Sequence, residues 1–210
     1  MTVAPTSVLA EFVGGSTSDV AMMIGVGLVK DSDAVFFQYL GEEQTPRALT
    51  TPTSGKPVYN LVNVRLTGIE IAEDIGEFNS TKLNLFLESN AGNTVMLTSG
   101  LTTLWSQCVM TSLMGLFNSY DLDQRFTLNS WKGTSKMRPC FASIKLAGKR
   151  VTDDMLYQQL TDARADRNSD LVKRIMRDSV QILSHALKGD AVDVVIEEPA
   201  APVLEAGEDF

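Results

Sequence analysis

One histidine and two cysteines in 210 residues leave little material for the commonest catalytic and metal-binding constellations. His185 sits after Ser184 with no sequence neighbour able to orient it as a general base, so it reads as a surface histidine. Cys108 and Cys140 with a lone histidine make no recognisable zinc site, and they read as free thiols of a reducing compartment. Asp121-Leu122-Asp123 and Asp153-Asp154 read as turn and cap residues, so no metal and no cofactor are expected. Gly25-Val26-Gly27 lacks the third glycine and the following helix of a dinucleotide loop, and no Walker loop or nucleophile elbow is present. No apolar run reaches the roughly 18 residues that a membrane-spanning helix needs; the longest candidate is Ala21 to Val29. The start has no basic residues before an apolar run, so no signal peptide is read. These absences point to a binding protein, not an enzyme, expected to act in the cytoplasm and not at a membrane.

The composition is otherwise that of a globular protein, 44% hydrophobic and 21% charged. The charge of −8 is unevenly placed. Residues 1–124 hold 5 basic and 13 acidic residues, residues 125–189 hold 13 and 6, and residues 190–210 hold none and 7. Arg125, Lys132, Lys136, Arg138, Lys145, Lys149 and Arg150 follow one another with no acid between them. An acidic protein with one such stretch is a candidate polyanion binder, because clustered cations release counterions. The alternative is a solvated strand edge that discourages aggregation.

Periodicity divides the chain. Asp19–Val29 and Ala34–Leu40 read as a strand, turn and strand, and the proline-rich 41–57 as a long loop. Val58–Ala72 alternates, with Val62, Val64 and Leu66 on one face, until a phase slip at Gly68 that marks a bulge. Lys82–Glu88 and Thr94–Thr98 are strands. Leu101–Tyr120 changes to a helical period, with Ser99 or Gly100 as its cap. Arg125–Trp131 and Pro139–Leu146 are strands, closed by Ala147 to Arg150 as a turn. Two helices follow, capped at Thr152 or Asp153 and at Asn168 or Ser169, and Gly189 ends the second.

The expected fold is mainly β with helices. The order strand, strand, strand, helix, strand, strand over 58–150 is that of an OB-fold-like five-stranded barrel. Residues 1–57 would be an N-terminal β hairpin and loop packed on it, 151–189 a helical segment, and 190–210 a flexible acidic tail.

With the aliphatic positions turned to the core, the opposite face collects aromatic, basic and short polar residues. It takes Tyr59, Asn63 and Arg65 from the first strand, and Lys82, Asn84 and Phe86 from the second. It takes Arg125, Thr127, Asn129 and Trp131 from the fourth, and Phe141, Ser143 and Lys145 from the fifth. Lys132, Lys136 and Arg138 occupy the hairpin tip. Bases stack on aromatic rings without sequence preference while cations follow the phosphates, so this face is a candidate surface for single-stranded nucleic acid. Trp105, on the helical stripe, reads as core.

Three features resemble a known family. They are the strand and helix order of Val58–Leu146, the pair Asn129-Ser130-Trp131-Lys132 and Arg138-Pro139-Cys140-Phe141, and the ending Gly207-Glu208-Asp209-Phe210. Together they resemble the single-stranded DNA-binding proteins of phages, over about the last 150 residues. The resemblance implies coating and protection of single-stranded DNA in replication, recombination and repair. It also implies that the tail, through Glu205, Glu208, Asp209 and Phe210, recruits replication proteins such as a polymerase or helicase. The N-terminal hairpin and the final helices exceed a minimal OB fold and are a candidate surface for a homo-oligomer. The tail's seven acids equal the seven bases of 125–150 in number, so deletion of 190–210 is expected to tighten DNA binding, most at low salt. A structural or assembly protein that binds only protein is the alternative reading.

Overall fold

The computed structural model describes residues 22–27, 29, 32–40, 45–75 and 80–189. Residues 1–21, Lys30 and Asp31 of the turn expected between Val29 and Ala34, and the acidic tail lie outside these. Nine strands form one mixed sheet: β1 (Met22–Val26), β2 (Phe36–Leu40), β3 (Thr45–Ala48), β4 (Asn60–Ile75), β5 (Ser80–Glu88), β6 (Thr94–Gly100), β7 (Phe126–Lys132), β8 (Cys140–Leu146) and β9 (Lys149–Val151). Their order is β3-β2-β1-β6-β5-β4-β7-β8-β9, with β3 and β9 at its two ends. Every neighbouring pair is antiparallel except β1 and β6. Among the described residues three helices accompany the sheet: α1 (Leu104–Ser119), α2 (Asp154–Ala165) and α3 (Ser169–Lys188).

The expectation of a mainly β protein with helices therefore stands, but a five-stranded barrel is too small a description. The N-terminal hairpin does not pack on a barrel as a separate layer; it extends the sheet through β1 and β6. Residues 41–57 are not one long loop either, because Thr45–Ala48 pairs with β2 as an edge strand. Pro46 is compatible with that place, since an edge strand leaves one row of backbone groups unpaired.

β4 spans 16 residues and serves both halves of the sheet, pairing with β5 along its second part and with β7 along its first. Its ladders carry three irregularities, one of them between Ala72 and Ile75 near its end, and the other two let it bend. One lies between Leu66 and Gly68, at the glycine marked by the phase slip. The other lies between Leu61 and Val64, where Asn63 adopts a left-handed φ of 53°. Asparagine tolerates that conformation better than most residues. This second bulge turns Val62 outward, 36% exposed, and leaves Leu61, Val64 and Leu66 in the core.

α1 fills the inner face. Trp105, Val109, Met110, Leu113 and Leu116 are buried against Ile24, Leu61, Leu85, Leu97, Leu128 and Ile144. The helix is covered nearly all round, as its apolar composition allows. Gly115 permits close approach, because a Cβ there would lie 2.5 Å from the carbonyl carbon of Thr152. Its N-cap is Thr103, whose hydroxyl accepts from Ser106 N–H, and not Ser99 or Gly100. Asp153 and Asn168 cap α2 and α3, and Gly189, at φ 74°, ends α3. α3 lies along β4, where Arg177 pairs with Glu73.

Candidate nucleic-acid interface

The side of the sheet turned away from α1 is the outer face. Alternation in each ladder sorts its residues. Leu128, Ala142 and Ile144 are buried inward, so Thr127, Asn129, Trp131, Phe141, Ser143 and Lys145 point outward. The registers Trp131↔Phe141, Asn129↔Ser143 and Thr127↔Lys145 place them in cross-strand rows.

At one end of β7–β8, the Trp131 and Phe141 rings stack with centroids 6.0 Å apart and planes 21° from parallel. Trp131 stays 43% exposed. Gly133 makes room for this pair, since a Cβ there would come within 2.9 Å of the Phe141 ring. At the other end, the two-residue turn Ala147-Gly148 has positive φ at both positions, 47° and 82°, and returns the chain as β9. Such turns match the twist of the strands they join. β9 was not expected, because Lys149-Arg150 read as part of the turn. Its effect is to set Arg150 directly opposite Lys145 on the outer face. Both are exposed. Two like charges opposite each other in a ladder are unfavourable, which makes the pair conspicuous on a face otherwise lined with Thr, Asn and Ser.

Arg65 and Arg125 lie at the same end, held differently. Both donate to Glu88, at 3.0 Å each, and Asp123 stands 3.6 Å from Arg65. Glu88 faces the same way as Phe86, a position whose significance the strand pattern alone does not reveal.

The other predicted residues are distributed as follows. Phe86 is on the outer face, its ring lying over Gly68, where a Cβ would be 3.1 Å away. Along β4 its register is about ten residues from that of Trp131, or roughly 30 Å, so the two aromatic sites bracket the arginines instead of adjoining. Lys82 lies opposite Ala72, six residues along β5 from Glu88 and away from the other cations. Tyr59, 37% exposed, precedes β4. The Asn63 bulge breaks the alternation that grouped Tyr59 with Arg65, and Asn60, opposite Asn129, holds the outward register instead.

The hairpin-tip cations do not form one free cluster. Lys132 points to the inner side, and its Nζ donates to the Ser32 carbonyl at 2.6 Å. Arg138 pairs with Asp33. The sheet is thus curled enough to bring the β7–β8 hairpin to the β1–β2 connection, although those strands are four places apart. Arg138 donating to Asp33 is the main reason that carboxyl is held below its ordinary value. Lys136 is exposed in the tip. Cys140, half-buried nearby, has its thiol pKa raised by burial, which Lys132 partly opposes. Burial of this kind makes a structural thiol, not a reactive one. Glu205, Glu208, Asp209 and Phe210 lie outside the described residues.

The far half of the outer face has a different chemistry. One row crosses the sheet through Pro46, Tyr39, Met23, Met96 and Phe86, and the next through Ala48, Phe37, Gly25 and Thr98. Neither stretch carries a charge. Met23 and Tyr39 are each 50% exposed. Phe37 lies across Gly25 and meets Tyr39 edge-on at 5.3 Å.

Among the described residues, no group of three or more His, Cys, Asp or Glu is placed to hold a metal ion, and no helix is long and apolar enough to cross a membrane. Comparison with protein-family models, with curated proteins and with solved structures found no match to this chain.

Proposed function

We propose that the chain binds single-stranded nucleic acid, DNA in the first instance, across the outer face of β7–β9 and the adjoining part of β4. The observation that carries this reading is the pairing of two features on one face of one ladder. An exposed stacked pair, Trp131–Phe141, stands four residues along β8 from a cross-strand cation pair, Lys145–Arg150. Four residues of strand are about 13 Å, so one extended strand can stack a base on Trp131 while its phosphates reach the cations. Asn129 and Thr127, partly exposed between them, supply short polar contacts without base readout, while Ser143 is buried. Binding of this kind is insensitive to sequence and steeply sensitive to salt.

The strand order β6-β5-β4-β7-β8, with α1 between β6 and β7, supports an OB-fold-like core inside the larger sheet, a fold whose faces often bind oligonucleotides. In this reading the protein coats and protects DNA single strands in phage replication, recombination and repair. Its acidic C-terminal residues, ending in Phe210, recruit a partner such as a polymerase or helicase. The function is physical, with no reaction catalysed. Fluorescence anisotropy with labelled oligo-thymidine and with a duplex of equal length tests it. Preference for the single strand, lost as salt rises, is expected; equal indifference to both rejects it.

A second reading, an assembly protein, is favoured by the uncharged row from Pro46 to Phe86. Exposed Met and aromatic side chains without charge suit a protein surface. Light scattering discriminates: a defined oligomer that ignores oligonucleotides supports assembly over nucleic-acid binding.

A further inference from the structure

Two guanidinium groups converge on one carboxylate near the middle of the outer face. Arg65 and Glu88 are direct partners in the β4–β5 ladder, and Arg65 Nη2 donates to both Glu88 oxygens at 3.1 and 3.0 Å. Arg125 arrives from the other side of β4. Its Nη2 donates to Glu88 Oε1 at 3.0 Å, and its Nη1 to the main-chain carbonyls of Asn63 at 3.1 Å and of Glu88 at 3.3 Å. The left-handed Asn63 therefore supplies part of the seat that holds the Arg125 fork. None of the three side chains is deeply buried, with exposures of 34%, 28% and 21% for Arg65, Arg125 and Glu88.

An ordinary cross-strand ion pair has one cation for each carboxylate. Here Glu88 hydrogen-bonds to both cations while Asp123 makes only a longer ion pair with Arg65, and Arg65 Nε is buried without any acceptor. Asp123, 78% exposed and 3.6 Å away, is the other acid in reach of Arg65. A phosphodiester carries the same single negative charge as a carboxylate. It presents two unbridged oxygens, which guanidinium forks accept in the same paired geometry. The arrangement is thus a seat for an oxyanion that already contains one.

We infer that Arg65 and Arg125 form a single phosphodiester site in which Glu88 is the resident place-holder, and that a backbone phosphate enters by displacing the Glu88 carboxylate. The inference rests on the nucleic-acid reading and deepens it, naming where one phosphate is held and which residue opposes it. Lys145 and Arg150 are exposed and displace no acid on binding. Arg65 and Arg125 contribute only the difference between phosphate and Glu88. The acid sets affinity below what four cations would give, which keeps the strand exchangeable.

The test is titration of oligo-thymidine into the full-length protein and Glu88→Gln over a series of salt concentrations. Glutamine keeps the size and one acceptor oxygen, so Arg65 retains a partner. Glu88→Gln is expected to bind roughly tenfold tighter at low salt, the worth of about one charge-assisted pair. Its log–log salt slope is expected to steepen by about 0.7 to 1.4, for one or two further phosphate contacts on a single strand. Adding Arg125→Gln is expected to abolish the gain. Unchanged affinity and slope in Glu88→Gln, with Lys145→Gln/Arg150→Gln still weakening the wild type, overturns the place-holder and leaves the nucleic-acid reading intact. No binding by the wild type or by Glu88→Gln overturns both. If a melting curve shows Glu88→Gln unfolded, Glu88→Asp replaces it, keeping the charge but withdrawing the carboxylate by one methylene. A gain of a few fold then supports the site, and no gain rejects it.

Discussion

The indole N–H of Trp105 donates to the Ser130 hydroxyl at 2.9 Å, wholly inside the protein. Trp105 belongs to the central helix and is 1% exposed, while Trp131, the next residue along β7 from Ser130, is 43% exposed on the other face. The bond fixes the strand from behind at the point where it offers a ring to solvent. A stacking platform benefits from that support, because a fixed ring has little freedom left to lose on binding. Ser130→Ala leaves the indole donor buried and unpaired, at a cost of about 1–3 kcal/mol. A denaturant midpoint shifted down with an unchanged slope is expected.

Gly115 has a comparable role between elements. A methyl group there meets the main chain of Thr152 and Asp153, which cannot swing aside as a side-chain tip could. Gly115→Ala gains helix propensity, yet overpacking of this kind costs about 1–3 kcal/mol, and the clash outweighs the gain. Thermal melting is expected to show a lower Tm; a raised Tm contradicts the packing described for α1 against the start of α2.

Lys145 and Arg150 are expected to show opposite effects on binding and stability. Replacing both with Gln removes two phosphate contacts, so the salt slope of oligonucleotide binding should fall by about 1.4. The same change removes a like-charge cross-strand pair, so Tm should hold or rise. A salt slope that stays the same removes both residues from the interface.

Two exposed ion pairs predict the acid limb of stability. Arg138 donating to Asp33 lowers that carboxyl from its usual 3.8. The Thr81 hydroxyl first, and Arg177 with it, lower Glu73 from 4.5 against the opposing effect of burial. A carboxylate whose pKa is lowered by folding stabilises the fold above its unfolded value, and that contribution fades as pH falls through the folded one. Wild-type Tm should therefore lose these contributions as the pH drops below about 4, and Asp33→Asn/Glu73→Gln should show a shallower acid limb. Curves that fall in parallel contradict the two ties.

Much of the local structure was legible in the sequence because it is written in period and cap residues. The alternation of β5, the helical stripe of α1, the caps Asp153 and Asn168, and the bulge at Gly68 all have short-range causes. The parallel pairing of β1 with β6 has none, since it joins residues some 70 apart in sequence, so the expected hairpin became part of the main sheet, and β3 and β9 brought seven expected strands to nine. β3 was hidden because Pro46 reads as a loop residue everywhere except at a sheet edge. The bulge at Asn63 was missed because Val62 and Val64 imitate unbroken alternation; an asparagine between two valines was the available signal. At the candidate site, Trp131, Phe141 and Lys145 followed from alternation. The partners of Arg65, Arg125, Lys132 and Arg138 did not: Glu88 meets the first two through the register of β5 on β4, beside β7, and Ser32 and Asp33 reach the others only through the curl of the sheet. Arg150 gained its place from a two-residue turn whose first residue, Ala147, is not a usual left-handed one.

The most direct test uses the two tryptophans as they stand, one buried and one exposed. Intrinsic fluorescence is followed while oligo-thymidine is added to the wild type and to Trp131→Phe, at low and at high salt. Quenching in the wild type that weakens with salt and vanishes in Trp131→Phe is the predicted result, since Trp105 is out of reach of a base. No quenching at low salt, with no change in anisotropy of a labelled strand, would contradict a nucleic-acid interface on this face.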